Sequence, residues 1–167
     1  KQAYETTGLP LILRASGPSA IDAAAPGIKG SQSVIASVTM ENAAEMRRIA
    51  EENGFVLAVT APTLDGVAEL TEQLKTNGFN NLLVQYETSS PAEAFQTNSI
   101  ARRAALKNNL KSLGYAGLRF IDEGDAMKNT SAAINEILKY GGLCVLPDFN
   151  PAQLVTLSNT APVELAV

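Results

Sequence analysis

Four side chains stand where a parallel α/β fold would place chemistry: Gln85, Glu87, Asp122 and Asp148. Each follows an apolar run, and ligands of such folds bind beyond the carboxyl ends of the strands. An amide and three carboxylates there could hold an amide-rich heterocycle or move a proton. Ser16-Gly17, Thr39 and Thr60 follow earlier runs and join the same set. The competing reading is that these residues cap the next helix or solvate a loop, which suits Asp122, Glu123 and Asp125 best. A second set is basic: Arg103, Lys107 and Lys111 recur at i, i+4 and i+8, with Arg102 beside them. It reads either as a docking patch for an acidic partner or as a solvated helix face whose cations suit the carboxyl end of the macrodipole. Cys144, inside the run GLCVL, reads as a small buried hydrophobe.

Composition removes other chemistries. Histidine is absent from the 167 residues and cysteine occurs once. Ser-His and Cys-His nucleophiles, imidazole-held metals, disulfides and thiolate-held clusters therefore cannot be built within this chain. No metal site is expected. A net charge of −4 argues against a nucleic-acid or membrane partner, and no apolar run approaches the ~20 residues of a membrane span. A cytoplasmic location is expected.

The elements that would carry these residues are strands alternating with helices. Leu9–Leu13, Ser33–Val38, Phe55–Ala61, Leu82–Tyr86, Gly117–Ile121 and Gly142–Leu146 are nearly continuous in apolar residues, as parallel strands buried on both faces are. Helical periodicity fills the intervals: Met40, Ala43, Ala44, Met46 and Ala50; Leu64, Val67, Ala68, Thr71 and Leu74; Ala133, Ile134, Ile137 and Leu138. The basic residues fall on a helix near Ser99–Leu113. Thr39, Thr63, Ser90 and Asn150 are expected N-caps, the last two followed by proline. Gly54, Gly78, Gly114 and Gly141 are expected to end helices in the left-handed region.

Six βα units imply an α/β fold with a parallel sheet and right-handed crossovers. Residues 1–167 read as a single domain without a linker. Either an open doubly wound sheet or an incomplete (β/α)8 barrel, with about six of eight units present, satisfies the pattern. Nucleotide-binding glycine signatures are missing from every strand end.

The order of motifs carries a resemblance. The stretch Val38–Gln85, then Ser99–Phe120 with Arg102-Arg103-Ala104-Ala105-Leu106-Lys107, then Leu138–Leu157 with Phe149-Asn150-Pro151, resembles the barrel domain of the corrinoid iron–sulfur protein large (gamma) subunit of the carbon monoxide dehydrogenase/acetyl-CoA synthase system. The resemblance implies a TIM-type barrel segment. It also implies a protein that carries a methyl group from a methyl-pterin methyltransferase to acetyl-CoA synthase, alongside a second corrinoid-protein subunit. Within this segment the expected role is scaffold and docking surface, without a cofactor of its own; corrinoid and a [4Fe–4S] cluster are expected elsewhere in the full protein. The alternative is a stand-alone barrel enzyme such as a pterin-dependent methyltransferase, for which Glu87 would take the acid's place after the fourth strand.

Overall fold

A computed structural model describes residues 2–15, 17–148 and 150–160. Lys1, Ser16, Phe149 and residues 161–167 lie outside the described residues. The chain is an α/β fold of six parallel strands alternating with helices, divided into two compact units, residues 1–85 and 86–167.

The first unit opens with a helix the apolar pattern does not foretell, α1 (Gln2–Thr7), which buries no residue. There follow β1 (Ile12–Leu13), α2 (Pro18–Ala24), β2 (Val34–Val38), α3 (Ala43–Asn53), β3 (Val56–Ala61), α4 (Leu64–Thr76) and β4 (Leu82–Tyr86), the last residue of β4 counting with the second unit. β1 is shorter than the expected Leu9–Leu13: Leu9 is 63% exposed and Pro10 has no N–H to give a ladder. Strands β1, β2 and β3 pair in parallel and in chain order, Ile12 opposite Val34 and Val34 opposite Val56. Four consecutive residues of β3, Leu57 to Thr60, are buried, as a strand covered on both faces requires.

Helix α3 shows how sequence becomes packing. Ala43, Met46, Ile49, Ala50 and Asn53 face inward at helical spacing, while Glu45, Arg48 and Glu52 are exposed. Burying Met46 and Ile49 stabilises by roughly 1.5–3 kcal/mol each. The helix stops at Gly54, whose φ of 73° lets its N–H reach the Ala50 carbonyl at 2.8 Å. It starts later than expected. Thr39 does not cap it; Thr39 N–H donates to Asn42 Oδ1 at 2.9 Å, and Met40 lies before the helix, 45% exposed. Thr63 does cap α4, accepting from Gly66 N–H at 3.1 Å.

The second unit contains α5 (Pro91–Lys107), β5 (Gly117–Phe120), α6 (Ala126–Leu138), β6 (Leu143–Val145) and α7 (Pro151–Thr160). β5 and β6 are parallel, with Arg119 opposite Cys144. Ile121, Ala132 and Ala133 form a small core against Cys144, Leu146 and Leu157. Ser90 caps α5 by accepting from Glu93 N–H at 3.2 Å, and Glu93 reciprocates one residue earlier than expected, accepting from Ser89 N–H at 2.7 Å. The Ser89 hydroxyl, donating to the same Glu93 oxygen at 2.6 Å, and then the Ser89 N–H hold the Glu93 carboxyl below its usual range. Two expectations need correcting. α5 ends at Lys107 and Asn109 turns left-handed at φ 55°, so Lys111 sits in a separate 3-10 turn (Lys111–Leu113) and does not extend the helical basic stripe. Gly114 and Gly141 are also not left-handed; Tyr140, at φ 68°, takes that conformation beside Gly141.

Candidate functional site

Gln85 is the strand-end residue that the structure builds in most firmly. It is buried at the end of β4, and its side-chain amide grips Ser37 of β2. Gln85 Oε1 accepts from Ser37 N–H at 3.1 Å, and Gln85 Nε2 donates to Ser37 Oγ at 3.2 Å. The grip has a cause. Three steps along β2, from Ile35 to Val38, match two along β3, from Leu57 to Val59, so β2 carries a bulge. Within it Ser37 has φ 60°, a conformation that costs a non-glycine residue about 1–2 kcal/mol. The amide supplies the partner that the bulge removes from the ladder.

The acids stand differently. Glu87, Asp122 and Asp148 are all exposed on loops. Asp122 Oδ1 accepts from Gly124 N–H at 3.4 Å, and Asp125 caps α6 by accepting from Lys128 N–H at 2.9 Å, which lowers its pKa. Glu123 is drawn instead into a buried network described below. Among the described residues no three of these side chains gather in a group able to hold a metal. Arg102, Arg103, Lys107 and Lys111 are all exposed, and the Arg102 guanidinium lies over the Tyr140 ring at 5.5 Å. Glu87, Glu93, Asp122, Asp125 and Asp148 lie between the end of a strand and the first turn of the next helix, where Lys128 pairs with Asp125 at 3.3 Å. Arg102, Arg103, Lys107, Lys111 and Lys139 lie in the later part of a helix or just after it.

The strongest polar cluster was not among the expected residues. Arg119 of β5 donates to Glu136 of α6 at 2.7 Å and to Glu123 at 3.2 Å. The other Glu136 oxygen accepts from Asn98 of α5 at 2.7 Å. Arg119 and Glu136 side chains are 11% and 5% exposed, so water screens this pair little. Gly141 is required here for space: a Cβ would come within 2.7 Å of a Glu136 carboxylate oxygen. Cys144 lies close by, and its thiol is pushed up to about 11 by burial first, then by Glu136, against the opposing pull of Arg119. The sequence signal for the cluster was one charge, Arg119, inside the otherwise apolar run GLRFI.

Beside this network is a cavity of about 260 Å³ lined by Tyr86, Asn98, Arg102, Tyr115, Tyr140 and the backbone of Gly114, Gly117, Gly141 and Gly142. It lies at the amino ends of β5 and β6, with Tyr86, the last residue of β4, also on its wall. Tyr86 Oη is buried there without a hydrogen-bond partner, a deficit of about 1–3 kcal/mol. Burial pushes the Tyr86 phenol up to about 12.

These features define a parallel βα-repeat protein whose most buried charges tie strand to helix. Residues 1–160 match the family described as CO dehydrogenase/acetyl-CoA synthase delta subunit, and the chain belongs to that family. It is also similar to the corrinoid/iron-sulfur protein large subunit of Moorella thermoacetica, at 27% identity over 140 residues. That alignment takes in 84% of this chain and 31% of the relative, so the chain spans about a third of the relative's length.

Proposed function

We propose that this chain is the TIM-barrel-type part of a corrinoid iron–sulfur protein subunit, acting as scaffold and docking surface in methyl transfer. In this reading the full protein works in the cytoplasm with a second corrinoid-protein subunit. It accepts a methyl group from a methyl-pterin methyltransferase and delivers it to acetyl-CoA synthase. Corrinoid and [4Fe–4S] cluster belong to other parts of the full protein, and this segment carries no cofactor of its own. Family membership and the large-subunit likeness support the assignment.

The observation that carries the scaffold role is Glu136. Both oxygens of this buried carboxylate are engaged, one by Arg119 and one by Asn98, so it fixes α5 and α6 to β5. Charge held this way positions elements and is not offered to a reactant. The exposed cations Arg102, Arg103, Lys107 and Lys111 supply the docking face toward an acidic partner surface.

The test is stopped-flow methyl transfer in the full complex. Glu87→Gln and Asp148→Asn are expected to change the rate by less than about tenfold, or ~1.4 kcal/mol of barrier. A loss of about a hundredfold or more with the fold intact would favour general acid–base catalysis by a barrel enzyme. Charge reversal at Arg103 and Lys107 is expected to slow partner association most at low salt.

A further inference from the structure

We propose that the cavity at the amino ends of β5 and β6 binds a small, flat, anionic ligand, an aromatic carboxylate being the class that fits it. This goes beyond the scaffold reading and does not depend on it.

Three observations converge. The first is shape and wall chemistry. About 260 Å³ is close to the lower bound for small-molecule pockets, and the rings of Tyr86, Tyr115 and Tyr140 contribute to the walls. Flat apolar faces of this kind favour a planar ring between them.

The second is charge. Among the described residues no Asp or Glu lines the cavity, and Arg102 is its one charged lining residue. Arg103 and Lys139, which are next to lining residues in sequence, add positive charge. Glu136, the nearest buried carboxylate in the network, is already neutralised by Arg119. An arginine over a tyrosine ring keeps N–H donors available for a carboxylate.

The third is the unpartnered Tyr86 hydroxyl. Its pKa near 12 keeps it protonated, hence a donor, throughout the physiological range. A buried donor without an acceptor is a cost that stability alone does not explain. Tyr86 lines the cavity, and a carboxylate bound there supplies the missing acceptor once the side chain turns its buried hydroxyl toward it.

The glycines do not carry this argument. Gly142 is needed for packing, since its Cβ would meet Gly117 O at 2.5 Å.

Equilibrium dialysis of 2-naphthoate against the full-length subunit in its native complex tests the proposal, with the neutral 2-naphthamide as control. The acid is expected to bind at least about tenfold more tightly than the amide. Tyr86→Phe and Arg102→Gln should each weaken the acid by about fivefold or more and leave the amide little changed. Ala116→Trp, at an exposed lining position, should block both. Equal affinity of acid and amide, indifference to all three substitutions, or no saturable binding up to about 10 mM overturns the proposal. Methyl-transfer activity is not the readout, so its loss or survival bears on the scaffold reading alone.

Discussion

Glu136 of α6 holds Arg119 of β5 at 2.7 Å, and the pair is almost wholly buried. A carboxylate and a guanidinium removed from water stabilise a fold only while both are present. Glu136→Ala strands Arg119 with the more exposed Glu123 and also frees the Asn98 amide. Chemical denaturation is expected to show a loss of about 3–5 kcal/mol. The double variant Arg119→Met, Glu136→Met should recover much of that, and a double variant as unstable as the single would contradict the account.

Gln85 and Ser37 give a second expectation. Gln85→Leu leaves the Ser37 N–H without the acceptor that the bulge relies on, and should cost about 1–3 kcal/mol. Ser37→Gly loses the hydroxyl contacts but relieves the strained φ of 60°. These effects oppose each other, so the glycine variant should lie within about 1 kcal/mol of the parent. A glycine variant as damaging as Gln85→Leu would show that the hydroxyl matters more than the backbone N–H.

Alkylation checks the environment of Cys144. With its thiol pushed up to about 11, its thiolate fraction at pH 8 is roughly a hundredfold below that of an unperturbed thiol. Iodoacetamide labelling should therefore be slow at pH 8 and climb steeply toward pH 11. Glu136→Gln removes one of the influences raising it and should speed labelling at fixed pH, provided the variant stays folded.

Cys144 and Tyr86 also set a pH dependence of stability. Both are neutral when protonated and hold their protons longer folded than unfolded. Unfolding therefore releases protons, from Cys144 between about pH 9 and 11 and from Tyr86 between about pH 10 and 12. Their contribution is present below those windows and is lost as pH rises through them. Thermal melts from pH 8 to 11 should show a falling midpoint, and Cys144→Ala should lessen the fall at its lower end.

Much of this architecture is legible in the residues because strand and helix here leave different marks. Leu82–Tyr86 matches its strand without correction, and the Ser90-Pro91 and Thr63 caps behave as their chemistry demands. Thr39 misleads because Asn42, three residues on, offers a longer amide that bonds back to Thr39 and starts the helix later. The candidate site is legible only in part. Gln85 could be named, but its partner Ser37 depends on a bulge, which is a property of the pairing of β2 with β3 and leaves no mark in β2 alone. Asn98, Arg119 and Glu136 are far apart in sequence, and nothing short of the fold brings them together. Tyr86 could be placed at the end of a strand, but a hydroxyl left without a partner is visible only once its surroundings exist.

The two-residue β1 has a consequence for how this protein breathes. Its ladder to β2 consists of Ile12 with Val34 and Leu13 with Ile35, continued by the Val34 N–H to the Leu11 carbonyl at 2.8 Å. Ile12 is 37% exposed, so little apolar burial resists separation. Opening here costs a fraction of global unfolding, whereas releasing the buried run of β3 requires dismantling the core of its unit. In deuterated water the Val34 amide should exchange well before those of Leu57 and Val59, and a protease that recognises extended chain should cut first near residues 9–15.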